Sequence, residues 1–116
     1  MILPDVMKIL SSHRFNVSSE DILQAQIAEA FDAAGFNFKR EYRLSGQDRI
    51  DFLVGDGIGV EVKVGGSPMA IHRQCKRYCT HDQIQSLILV TSRSMGLPEQ
   101  IEGKDCYVHL LGRSWL

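Results

Sequence analysis

The 116-residue sequence predicts an α/β domain, a mixed β-sheet flanked by helices. Three observations predict it. Leu23, Ile27, Ala30, Phe31 and Ala34 recur at helical spacing ahead of two alternating strands joined by Gly55-Asp56-Gly57. A second helical segment follows, with Ile71, Cys75, Tyr78 and Cys79 on one side. After it, Leu87-Ile88-Leu89-Val90 is apolar at every position, as in a central parallel strand buried on both faces. The order reads α-β-β-β-α-β-β in a single domain.

Along the chain, Met7 to Leu10 suggests a short helix after Pro4. The first strong helix is expected from Ser19 to Ala34. Ser18 and Asp21 form an acidic variant of a capping box, and Gly35 suits the left-handed residue after the helix end. Phe36 to Leu44 alternates loosely and suggests a first strand, and Ser45 to Asp48 a turn. Arg49 to Val54 is a second strand with Ile50, Phe52 and Val54 on one face. Ile58 to Val64 is a third, with Ile58, Val60, Val62 and Val64 together. Met69 to Thr80 forms the second helix and Ser86 to Ser92 the buried strand. Gly96-Leu97-Pro98 turns, and Cys106 to Leu111 is the last strand. Trp115, near the end, is expected to close the core or meet a second subunit.

Composition narrows the function classes. Hydrophobic residues make 44% of the chain and charged residues 23%, ordinary for a globular domain. No apolar run approaches the ~20 residues that span a bilayer, and Met1 to Asp5 lacks the start of a signal peptide. Cys75, Cys79 and Cys106 are odd in number and fit no secreted disulfide framework. A cytoplasmic protein with no membrane partner is expected. The formal charge of −1 argues against a general electrostatic nucleic-acid binder. Phosphate contacts must come from local clusters, such as Lys39, Arg40, Arg43 and Arg49, or Arg73, Lys76 and Arg77.

The chemistry concentrates on the hairpin around Gly55-Asp56-Gly57. With that loop, Val54 faces Ile58, Phe52 faces Val60, and Asp51 faces Glu61. Asp51, Glu61 and Lys63 then share the face opposite the valines. Facing residues have Cβ atoms roughly 4.5–5.5 Å apart, where two carboxylates repel. A divalent cation between them reverses the sign of that interaction, and oxygen ligands from two carboxylates suit Mg2+. Lys63 would sit beside the ion and any bound phosphate, stabilising negative charge or positioning water. The bland alternative is a solvated sheet face carrying charges with no role.

Asp51, nine intervening residues, then Glu61-Val62-Lys63 resembles the signature of the PD-(D/E)xK nuclease superfamily. The likeness is to small stand-alone members with a restriction-endonuclease-like αβββαβ core, such as the RecB-like or VRR-NUC-like groups, and it covers about residues 18–92. Ile50 replaces the proline that often precedes the aspartate. The resemblance implies a deoxyribonuclease hydrolysing phosphodiester bonds with Mg2+ or Mn2+. Asp51, Glu61 and the Val62 carbonyl would hold the ion, and Lys63 would orient or deprotonate water. Glu20, with Gln24 four residues on, resembles a first-helix acid of several small relatives; it would hold a second ion or orient the first, unless it serves only the helix start. Gln74 and Tyr78 match a spacing seen after the lysine. Gln74 is read as a phosphate or metal-water contact and Tyr78 as packing, with Arg73, Arg77 and Arg49 as further DNA contacts. Glu41 is a weaker candidate, more simply a strand-edge charge.

Without an appended recognition module, DNA structures or ends are expected targets rather than a long sequence, and a homodimer fits the need to grip a duplex. Two rivals stand beside this reading: a catalytically silent nuclease fold that binds DNA or protein, and a dimeric Holliday-junction resolvase. Other chemistries fit less well. His72, Cys75, Cys79 and His81 contain no paired Cys-x-x-Cys for zinc. The glycines at 55, 57 and 59 join strands, with no helix N-terminus to cradle phosphate. Ser67 and Ser92 lack triad partners.

Overall fold

The computed structural model describes residues 2–112; Trp115 lies outside them. The described residues form a six-stranded mixed sheet with three helices. In chain order these are α1 (Ile2–Ser12), α2 (Glu20–Ala33), β1 (Phe38–Arg43), β2 (Arg49–Val54), β3 (Ile58–Lys63), α3 (Pro68–Cys79), β4 (Ser86–Thr91), β5 (Gln100–Ile101) and β6 (Lys104–Leu110). The sheet order is β1-β2-β3-β4-β6-β5. β1, β2 and β3 form an antiparallel meander, β3, β4 and β6 run parallel, and β5 returns antiparallel on β6. Among the described residues no helix is long and apolar enough to cross a membrane.

Helix α1 is longer than the sequence suggests. It starts at Ile2, so Pro4 falls in its first turn, where a missing N–H leaves no helical bond unmade. Val6 and Leu10 are fully buried against α2 and the sheet, which makes α1 part of the main core. Helix α2 is capped by Ser19 rather than Ser18: Ile22 N–H donates to Ser19 Oγ at 3.1 Å. Gly35 takes φ +79°, as its place after the helix predicts.

Two apolar layers enclose the sheet. On one side α1 and α2 cover Phe52, Val54, Ile58, Val60, Val62, Ile88 and Val90. On the other, Ile71, Cys75, Tyr78 and Cys79 of α3 pack on Leu87, Leu89 and Cys106. Strand β4 contributes to both layers and lies between parallel neighbours, as its uninterrupted apolar run predicts. The short β5 has no sequence signal and exists by pairing Gln100 and Ile101 with the start of β6.

One expectation fails in β2. Ile50 does not share a face with Phe52 and Val54; it belongs to the α3 layer while they belong to the α2 layer. Alternation is broken once, at Asp51. On the neighbouring strand Glu41 takes φ +51°, and the paired positions jump from Arg40↔Phe52 to Tyr42↔Ile50. Both strands therefore change faces at the same level, a local irregularity of the kind that re-aims side chains beside functional sites. Gly59 makes room for the crossing residue: a Cβ there would stand 2.6 Å from Ile50 Cδ1 and 2.9 Å from Ile84 Cδ1.

Candidate functional site

The hairpin register at the loop end matches expectation. Val54 pairs with Ile58 and Phe52 with Val60, and Gly55 and Gly57 supply the positive φ the loop requires. Beyond Phe52 and Val60 the backbone pairing stops, and side chains take over. Val62 N–H donates to Asp51 Oδ2 at 2.8 Å, and Asp51 N–H donates to Glu61 Oε1 at 3.2 Å. Each carboxylate thus accepts from the strand that carries the other. The two acids do meet across the hairpin, by bridging opened strands rather than as a paired ladder rung.

Glu61 is only 3% exposed, so the face it occupies is no solvated surface. Tyr78 of α3 closes over it, with its hydroxyl 3.1 Å from both Glu61 Oε2 and the Arg49 carbonyl. Gln74, one turn earlier, donates to that hydroxyl at 2.7 Å. Lys63 Nζ lies 3.5 Å from Glu61 Oε2 and keeps part of its side chain in solvent. The sequence placed Tyr78 in packing and Gln74 on the ligand. The structure gives Tyr78 both roles, as a buried wall and as a hydrogen-bond partner of Glu61, and Gln74 acts on Tyr78. Their i,i+4 spacing was the available signal.

Burial and charge set the protonation of the pair. Burial, then the Asp51 carboxylate beside it, push the Glu61 carboxyl up to about 8, against the opposing pull of Lys63. Asp51 is also raised, chiefly by burial, while the Val62 N–H bond works the other way. Two interacting acids raised in this way titrate as a pair, and a positive ion between them would favour their ionised forms.

Glu20 reaches the far end of β3, where its Oε1 accepts from Val64 N–H at 3.1 Å. It therefore ties the start of α2 to the strand that carries Glu61 and Lys63. Among the described residues no three His, Cys, Asp or Glu side chains converge as a ligand group, so the acid pair is the compact feature. Its donor set fits a hard divalent cation nonetheless. Mg2+ is held by one or two carboxylates with waters completing its shell, and each carboxylate retains lone pairs beyond the bonds above.

The basic candidates divide. Arg49 pairs with Glu41 at 3.0 Å, and Arg77 with Asp48 at 3.1 Å. Arg73 is exposed and, with Lys76, borders a separate hollow along α3. Asp48, which the sequence places only in a turn, is buried and holds the β1–β2 turn to α3 through Arg77 and to the segment after α3 through His81 Nε2 at 2.9 Å. These partners keep its carboxyl below the usual range, His81 first, against the effect of burial. Cys75 and Cys79 are buried in the α3 layer, and Cys79 Sγ lies 3.9 Å from Cys106 Sγ.

Compared with family models, with characterised proteins and with solved structures, the chain finds no match.

Proposed function

We propose that the chain is a divalent-metal-dependent phosphodiesterase acting on DNA, of the PD-(D/E)xK type that its sequence resembles. The observation that carries the reading is the opened hairpin end, where Asp51 and Glu61 take backbone bonds from each other's strands beside Lys63. An exposed face of idle charges would not bury one acid and raise it by setting another against it. The restriction-endonuclease-like arrangement around the site belongs to the same proposal; helix, three strands, helix and strand follow in the order such a core requires.

In this reading Asp51, Glu61 and the Val62 carbonyl hold Mg2+ or Mn2+. The bound ion supplies positive charge that polarises the scissile phosphodiester and eases ionisation of water. The chain's own residues do the rest. Asp51 N–H and the Tyr78 hydroxyl fix the Glu61 carboxylate, and Gln74 fixes Tyr78. Lys63, beside Glu61, stabilises charge developing on phosphate oxygens and orients the attacking water. Glu20 anchors the end of β3 and so the placement of Lys63.

The test is incubation of end-labelled duplex, single-stranded and branched DNA with Mg2+. Wild type is expected to cut at least one, and Lys63→Ala to cut roughly a hundredfold more slowly. Wild type that cuts none, or a variant that cuts equally well, overturns the proposal. A second reading, a silent nuclease fold used for binding, draws on one observation: Lys63 and Tyr78 already engage Glu61 within the protein. It predicts intact DNA in every lane, with no response to Mn2+.

A further inference from the structure

We propose that a phosphate of a bound nucleic-acid strand is gripped beside the carboxylate pair by Arg43, Arg49 and Arg77, in the cleft between the β1–β2 turn and α3. The nucleic-acid partner rests on the phosphodiesterase reading; the place of the grip rests on geometry of its own. The cleft measures about 390 Å³, and these three arginines line it together with Asp48, Gln74 and Tyr78. That volume exceeds what one phosphate group occupies and leaves room for its adjoining sugar.

Among the described residues each arginine is restrained by one bond that leaves donors to spare. Arg77 is held through Nε by one oxygen of Asp48, whose second oxygen is engaged by His81. Arg49 is held through Nε by Glu41 at 3.0 Å. Arg43 donates Nη1 to the Gly46 carbonyl at 3.0 Å. A guanidinium carries five N–H donors in a planar fork that matches phosphate oxygens. Three forks restrained in advance lose less entropy on binding than three free side chains.

Tyr78 links this cleft to the acids. It lines the cleft while its hydroxyl contacts Glu61. A phosphate in the cleft therefore sits next to the acid pair rather than on it, as a neighbouring phosphate of the strand would. The placement also answers an electrostatic need. Carboxylate charge on the acid pair repels a phosphodiester backbone, and adjacent guanidinium groups offset that repulsion in a chain whose net charge is −1.

The experiment is fluorescence anisotropy of a labelled 12-nucleotide single-stranded DNA with metal-free protein in EDTA, at several salt concentrations, with inorganic phosphate as competitor. Arg49→Gln and Arg43→Gln are each expected to weaken binding roughly tenfold and to lower the salt slope by about one. Arg77→Lys keeps the charge but loses the fork, and is expected to weaken binding as well. Lys8→Gln removes one charge from an exposed site on α1, across the sheet from α3, and is expected to bind as wild type does. Arginine variants that retain melting temperature yet bind like Lys8→Gln overturn the grip. So does a cleft that takes inorganic phosphate while DNA binding ignores all three arginines. Cleavage with Mg2+, run separately, keeps the two proposals apart. Arginine-dependent binding without cleavage leaves the grip standing and removes the phosphodiesterase; cleavage with arginine-independent binding does the reverse.

Discussion

The two ends of the β2–β3 hairpin are built on opposite principles. At the loop end Phe52, Val54, Val60 and Ile58 pair in regular register and bury their side chains against α2. At the other end Asp51 and Glu61 enter the gap between the strands and accept the N–H groups of opposing residues. The first arrangement stabilises the fold through apolar burial, at roughly 25 cal/mol per Å². The second keeps backbone donors satisfied but brings like charges together away from water, which disfavours folding of the ionised form. The same hairpin thus has one end that holds the domain together and one that is held in place by it.

That contrast is sharpened by four substitutions or conditions, in order of effect. The largest is on catalysis: Glu61→Gln is expected to lower Mg2+-dependent DNA cleavage by about 10²–10³-fold, measured as initial rate on labelled DNA. Its melting temperature without metal should match wild type near pH 5 and exceed it at pH 7, because only the wild-type unfolded chain gains by ionising Glu61 there, and the amide keeps an oxygen for Tyr78.

At the loop end the pattern reverses. Phe52→Ala is expected to cost about 3–5 kcal/mol in urea unfolding, since Phe52 is fully buried with edge contacts to Phe31. A cost below about 1 kcal/mol would erase the distinction between the two ends.

Third comes pH. Glu61 titrates near 4.5 when unfolded and near 8 when folded. Between those values the unfolded chain binds fewer protons than the folded one, so stability falls as pH rises through this window and levels off above it. Melting of metal-free wild type from pH 5 to 8.5 should show the decline, and Glu61→Gln should flatten it. Asp48 acts with the opposite sign. Its carboxyl is lowered by His81 and Arg77, so its contribution is present above 3.8 and lost as pH falls through its folded value.

The smallest effect is at Tyr78. Tyr78→Phe keeps the buried ring but removes the hydroxyl between Gln74, Glu61 and the Arg49 carbonyl. About 1 kcal/mol of stability should be lost, with cleavage reduced less than in Glu61→Gln.

Much of this was legible in the sequence because it is local. Periodicity located α2 and α3, glycines located the hairpin loop, and an unbroken apolar run marked β4 as central. The facing of Asp51 and Glu61 followed from loop length alone. What escaped depends on contacts distant along the chain. The change of face at Ile50 requires Gly59 and a left-handed Glu41 on two other strands, and alternation within β2 carries no trace of it. Asp48 reads as a turn residue until α3 brings Arg77 and His81 to it. Tyr78 reads as core because it is core; only its hydroxyl, placed by α3 packing, joins the site. The length of α1 is hidden in the sequence because a proline marks the start of a helix without showing whether it precedes the first turn or, as Pro4 does, sits within it.

The claim beneath the rest is that two acids across an opened hairpin are a place for one divalent ion. Calorimetric titration with Mn2+ at pH 7, in two buffers of different ionisation enthalpy, tests it most directly. One ion per chain with release of protons, and loss of that binding in Glu61→Gln, is the result the account predicts. No heat of binding in wild type, or binding that Glu61→Gln leaves unchanged, would contradict it.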